Sequence, residues 1–212
     1  MKQKLISVSF EPEQAHMAKI IASQNGTRRD TITQKASALF IEKGFPSTSM
    51  RDIAEAIGVE APSLYNYIGS KNEILQDICF RIAKEFMNHL KKVEAGKASS
   101  LKKIEVIIRF HIFMMVHEFH DISIADHEWI HLPEPLLSDF KSQRRNYRAR
   151  LSAILKKGID RKEISKLNPD VAVHTILAAI NGIEGWHRSG KKIDAQELEE
   201  NMVRFLIAGL KK

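Results

Sequence analysis

From Asp30 to the end of the chain, apolar side chains recur at intervals of three and four, and no stretch alternates with period two. That pattern specifies helices and leaves no place for a sheet. Each apolar run is bracketed by helix punctuation. Asp30 is a good N-cap; Ile32, Ala36, Leu39 and Phe40 share one face; Gly44 is placed to stop that helix. Ser47-Thr48-Ser49 caps a short second helix that carries Ile53, Ala54 and Ile57 inward as far as Gly58. A third begins after Val59 with Pro62 in its first turn, where proline is tolerated. Ser70-Lys71-Asn72-Glu73 spells a capping box and opens a fourth, running to about Lys92. Beyond a polar break, Leu101 to about Phe119 is apolar almost all round, which predicts a central buried helix. A short helix around 121–130 ends at Pro133 and Pro135, and a long one runs from about Glu134 to Lys157 and stops at Gly158. Asn168-Pro169 opens a helix to about Arg188, and Asp194 caps the last. The expectation is an all-α fold of about nine helices, a small N-terminal unit continuous with a larger one. Residues 1–27 precede it as an extension, with room for one short helix after Pro12.

Composition removes several classes. At 212 residues, with 43% hydrophobic and 28% charged, the chain can bury a globular core. The longest apolar stretch, residues 104–116, is interrupted by Glu105, Arg109 and His111, so it cannot span a membrane. Lys2 and Lys4 are followed by no apolar run, so no secretory signal is expected. A single cysteine, Cys79, excludes an internal disulfide, fits a reducing cytoplasm and reads as a semi-buried helix residue.

The net charge of +7 invites a nucleic-acid partner, but its location complicates that. Residues 28–71 hold six Lys and Arg against five Asp and Glu, whereas residues 141–166 hold ten against two. Bulk charge therefore says little about DNA, and the motif carries the case. Three short helices over 30–68, with a tight turn between the second and third, have the size of a helix-turn-helix at 48–69. Ala61, Pro62, Ser63, Tyr65 and Asn66 fall near the exposed start of its third helix, where a recognition helix meets base edges.

The run Phe40-Ile41-Glu42-Lys43-Gly44-Phe45, then Thr48 to Ala54, Gly58-Val59, Ser63-Leu64-Tyr65-Asn66-Tyr67 and Ser70 to Leu75 resembles the N-terminal signature of the TetR family of bacterial transcription regulators. The match covers about a fifth of the chain without a gap. It implies a helix-turn-helix DNA-binding domain at 28–72 and a ligand-binding and dimerisation domain at 73–212. It further implies phosphate contacts from Thr48, Tyr65 and Lys71, and base-edge or backbone contacts from the 61–66 region. Tyr67 lies near the groove, and Arg51 counts among the DNA-contacting residues. Pro62 stands where a small or polar residue is more usual, which leaves base preference open.

Dimerisation through the last two helices is implied as well, and the residues support it independently. Gly182 and Gly185 permit close helix contact, and Ile183, Trp186, Leu198, Met202, Phe205 and Leu206 supply an apolar surface. Two helices from each chain would make a two-fold interface, matching a palindromic operator.

In the C-terminal half, Arg144, Arg145, Arg148 and Arg150 surround Tyr147 on a basic helix, an arrangement suited to phosphates. The Phe110–Met115 run and Trp129 are suited to line an apolar tunnel. An apolar chain with a phosphorylated head describes an acyl-CoA. The half is loosely similar to acyl-CoA-responsive members through His111, Glu128 ahead of Leu132-Pro133, Arg144 to Tyr147, and Asn181-Gly182 with Trp186. The candidate ligand residues are Phe110, His111, Met114, Glu128, Trp129, Arg144, Tyr147, Arg148, Asn181 and Trp186. Another apolar or aromatic effector fits the same residues, and so do repressor and activator alike.

One motif competes. His127-Glu128-Trp129-Ile130-His131 spells H-E-x-x-H, two zinc ligands and a general base when carried on one helix. Here Pro133 and Pro135 end the helix at once and no third ligand helix follows, so a zinc-dependent hydrolase is the lesser reading. With no Gly-rich phosphate loop and no nucleophile–base constellation, neither an enzyme activity nor a cofactor is expected.

Overall fold

The computed structural model describes residues 28–189 and 194–211. The N-terminal extension, with its short helix after Pro12, lies outside the described residues. All described elements are helical: α1 (Arg28–Lys43), α2 (Met50–Ile57), α3 (Ala61–Leu64), α4 (Lys71–Ala95), α5 (Ser100–His117), α6 (Phe119–His127), a 3-10 turn (Trp129–His131), α7 (Leu136–Asp160), α8 (Pro169–Asn181), α9 (Ile183–Ser189) and α10 (Ala195–Ala208). These are the nine expected helices with one divided, because the Asn168–Arg188 run breaks at Gly182 into α8 and α9. Among the described residues no helix is long and apolar enough to cross a membrane.

Local chemistry sets most helix ends. Ser49 caps α2 by accepting from the Asp52 N–H at 3.1 Å, and the Asp52 carboxylate returns to the Ser49 N–H at 2.7 Å. Gly58 ends α2 with φ 78°, a left-handed conformation that costs glycine nothing. Ser70 caps α4, but the box there is not reciprocal. The Glu73 carboxylate accepts from Gly69 N–H at 2.8 Å and from Arg29 at 2.5 Å instead of from the Ser70 N–H. Three further expectations are corrected. Asp30 lies inside the first turn of α1 and does not cap it. The third helix is a single turn, with residues 65–67 continuing as a turn. Gly158 does not stop α7, which continues to Asp160. Gly158 is buried at a close approach, where an added Cβ would lie 2.6 Å from Ile164 Cδ1 and 2.8 Å from Ser100 Cβ.

Helix α1 turns Ile32, Ala36 and Phe40 onto Ile53, Ala54 and Leu64 to make the core of the small N-terminal unit. α5 is the central helix, with Ile104, Ile108, Phe110, Ile112 and Met114 all buried. α4, α7, α8 and α10 pack around it. α4 belongs to both parts. Its first turns pack on α1, and its remainder packs on α5, α6 and α7. Cys79 lies on α4, and burial pushes its thiol up to about 12, so it is an inert core residue.

Candidate functional site

The helix-turn-helix gathers Thr48, Arg51, Tyr65 and Lys71 around one shallow open groove, lined by residues 46–51, Tyr65 and residues 69–71. Tyr65 and Tyr67 stay 54% and 46% exposed, with Pro62, Ser63 and Asn66 exposed beside them and Ala61 half-buried. These exposed rings and the neighbouring polar side chains form one face beside the groove. Its placement is fixed from behind. Arg29 donates to the Tyr67 carbonyl at 3.2 Å and to the Asp77 carboxylate at 2.6 Å, and the Arg28 guanidinium lies 5.7 Å from the Tyr67 ring centroid.

Two residues expected on phosphates are engaged within the protein. Thr48 is 1% exposed, and its hydroxyl donates to the Gly44 carbonyl at 2.9 Å, so it shapes the α1–α2 turn. The Lys71 ammonium donates to the carbonyls of Phe45, Pro46 and Thr48 at 2.8, 3.0 and 2.9 Å, and lies 4.6 Å from the Phe45 ring centroid. Three carbonyls use all three of its N–H donors. Lys71 therefore locks the turn that presents the groove, whatever it adds to the field around it.

Behind the N-terminal unit, α4, α5, α6, α7 and α8 enclose a cavity of about 300 Å³. His111, Arg144, Tyr147, Arg148 and Asn181, all expected around a ligand, line it. Ile82, Ala83, Phe86 and Met87 of α4, Met115 of α5, Ile122 and Ala125 of α6, and Phe140 of α7 supply its apolar wall. The α4 contribution is absent from the sequence reading. The only signal for it is the Ile82, Phe86 spacing on one helix face. Within the cavity, His111 Nε2 lies 2.7 Å from the Tyr147 hydroxyl, and the imidazole stacks on Phe86 at 4.3 Å between centroids. Burial pushes the imidazole down to about 3, so it is neutral at physiological pH.

The other expected ligand residues lie outside the lining. Phe110 turns away to stack on His89 at 3.8 Å, and Met114 is fully buried in the core. Trp129 packs on Phe140 with Lys141 and Arg144 over its ring at 5.8 and 5.6 Å. The Glu128 carboxylate faces the Phe45 N–H at 3.5 Å and His131 at 3.4 Å, at the junction with the N-terminal unit. Trp186 is 41% exposed on α9. The arginines also divide. Arg144 donates to Asp126 at 2.9 Å and to the Ala125 carbonyl at 3.1 Å, and Arg150 pairs with Glu94, so both charges are already satisfied. Arg148, exposed at the cavity, has no such partner among the described residues.

Of the residues expected at a dimer interface, Ile183 and Leu198 are buried in the chain's own core, and Met202 and Leu206 are partly buried. Phe205 is 82% exposed and stands out with Trp186 and with Val171 at 61%.

The H-E-x-x-H residues do not share a helix face. α6 ends at His127, and His131 falls in the separate 3-10 turn. His127 Nε2 lies 2.8 Å from Glu184, while His131 faces Glu128. Among the described residues no three His, Cys, Asp or Glu side chains gather as a metal site would require.

Comparison with known proteins agrees with the geometry. Residues 32–78 match the family model described as bacterial regulatory proteins, tetR family. Residues 97–210 match the model described as tetracyclin repressor-like, C-terminal domain. The chain is 23% identical over 197 residues to the HTH-type transcriptional repressor KstR2 of Mycobacterium tuberculosis, covering 91% of this chain and 97% of that protein. The solved structure of the ketosteroid transcriptional regulator KstR2 of Mycobacterium tuberculosis superposes with a TM-score of 0.82 at 22% identity, over 88% of this chain and 96% of that one. AibR, solved in complex with isovaleryl coenzyme A and operator DNA, superposes with a TM-score of 0.74 at 21% identity, over 85% of this chain and 98% of that one. With over half its length matched by one family model and its helix-turn-helix by the other, the chain belongs to the TetR family: it is a DNA-binding transcription regulator and not an enzyme.

Proposed function

We propose that the protein is a homodimeric repressor that holds palindromic operator DNA through residues 28–72 and releases it when an acyl-CoA enters the cavity of residues 73–212. The observation that carries this reading is the composition of the cavity. Its wall is largely apolar, while the exposed cation of Arg148 stands at its edge, with the exposed Arg145 one turn away on α7 outside the lining. An acyl chain fits the wall, and the phosphates of a nucleotide head suit free guanidinium groups. AibR, a structural neighbour, is solved with isovaleryl coenzyme A and operator DNA, which supports the same division of labour.

The route from cavity to DNA runs along α4. Its middle supplies Ile82, Ala83, Phe86 and Met87 to the cavity wall, and its first residue, Lys71, grips the α1–α2 turn beside the DNA groove. A rigid helix fixed at both places carries a displacement of one to the other. Two heads must enter successive major grooves about 34 Å apart, so a small rotation of each weakens both contacts together. The exposed Trp186 and Phe205 support pairing of α8, α9 and α10 with a second copy.

The test is a gel-shift titration on an operator selected from random DNA, repeated with CoA, short-chain and longer-chain acyl-CoAs. Release by a thioester but not by CoA alone is expected. DNA binding that no thioester alters would leave the regulator but remove the acyl-CoA, and an uncharged apolar effector would take its place. The pairing of Arg144 with Asp126 favours that second effector, because among the described residues lining the cavity it leaves Arg148 as the one unneutralised arginine.

A further inference from the structure

The two ends of the cavity differ in chemistry. Gln143 and Arg148 on α7 and His174 and Asn181 on α8 are exposed, and mark the open end. His111 is only 8% exposed, and on its far side it borders a small cleft lined otherwise by aliphatic side chains of α5, α7 and α8. It therefore lies at the deep end, with Tyr147 hydrogen-bonded to it at 2.7 Å. The Phe86 ring packs against both, 4.3 Å from the imidazole and 6.0 Å from the Tyr147 ring between centroids, and Met115 and Ile122 line the same wall with at most a weak thioether acceptor.

A hydroxyl can donate once and accept twice. The bond to His111 uses one of these capacities, and the Tyr147 hydroxyl has no second partner among the described residues. If it donates to Nε2, its lone pairs remain to accept; if Nε2–H donates to it, its own hydrogen remains to give. A polar pair of one buried and one half-buried side chain, set against an apolar wall, costs stability relative to hydrocarbon of the same shape. An unused valence aimed into a ligand cavity is a recognition element.

We infer that the His111–Tyr147 pair receives an oxygen on the effector's apolar part, so that the effector class is an oxo- or hydroxy-acyl group rather than a plain alkyl one. This rests on the acyl-CoA reading for the head at the open end, but the oxygen subsite stands on the pair alone. The neutral imidazole suits a neutral ketone or alcohol and offers no charge to a carboxylate.

Calorimetry on the full chain with matched ligands tests it. The set is cyclohexanecarbonyl-CoA, its 3-oxo, 4-oxo and 4-hydroxy forms, and the corresponding free acids. An oxygenated member is expected to bind about tenfold more tightly than its parent. In Tyr147→Phe that preference is expected to disappear, the oxygenated member and its parent then binding within about threefold of each other. Equal affinity of every pair in the wild-type protein overturns the inference, as does a preference that survives in Tyr147→Phe. If that variant does not fold, the wild-type comparison decides alone. Preference among free acids with no binding of any thioester keeps the oxygen subsite and removes the acyl-CoA; binding by no member removes both.

Discussion

The Ser37 hydroxyl donates to Asp121 Oδ1 over 2.6 Å, joining α1 beside the DNA groove to α6 on the cavity wall. The same carboxylate takes the guanidinium of Arg81 from α4. Asp121 is thus the point where three helices are held in register. Ser37 is 1% exposed, so loss of its acceptor leaves a buried donor without its bond. Asp121→Ala is expected to cost about 1–3 kcal/mol in urea unfolding, and Ser37→Ala about 1 kcal/mol or less. Hydrogen exchange should rise in α1 and α6 and stay unchanged in α10. Uniform exchange across the protein would contradict the local role.

Lys71 and Tyr65 border one groove but separate by experiment. Lys71→Met removes the donor of three carbonyls, so both the melting temperature and DNA affinity should fall. Tyr65→Ala removes a half-exposed ring and should weaken DNA binding with the melting temperature unchanged. Circular dichroism melts beside fluorescence anisotropy on the selected operator make the comparison.

Phe205→Glu places a charge where an aromatic ring is 82% exposed in the single chain. Intramolecular packing loses little. If the proposed dimer forms through α10, analytical ultracentrifugation is expected to find the wild type as dimer and this variant as monomer at the same concentration, with far-UV ellipticity retained. A variant that remains dimeric would move the interface off α10.

The buried His111 sets a pH dependence. Its imidazole is held near 3 against an ordinary 6.5, first by burial and then by the neighbouring His89. Between those values the unfolded chain takes up a proton that the folded chain refuses. Stability therefore rises with pH through this window and is lost as pH falls, by up to about 1.4 kcal/mol per pH unit from this group. His111→Gln keeps a hydrogen-bonding side chain and removes the titration, so urea midpoints measured between about pH 4 and 7 should vary less than in the wild type.

How much was legible beforehand follows the range of each interaction. Helix ends set by neighbours in sequence could be read directly: the cap within Ser47-Thr48-Ser49, the left-handed Gly58, the Asn168 and Asp194 caps. The helix-turn-helix was legible for the same reason, since its spacing is local and its exposed Tyr65 has no packing role. Features closed by partners far along the chain were not. Gly158 looks like a helix stop, yet it lies within the last turn of α7, where Ile164 and Ser100 press on it. Arg144 looks like a phosphate ligand until Asp126 neutralises it, and Thr48 until its hydroxyl closes on Gly44. Ile183 and Leu198 belong to the same apolar runs as Trp186 and Phe205, but only the folded chain decides which pair it buries. Periodicity and caps act over one or two turns and survive in the bare sequence. Which side chain meets which across packed helices depends on their crossing, and so do the α4 wall of the cavity and the His111–Tyr147 bond.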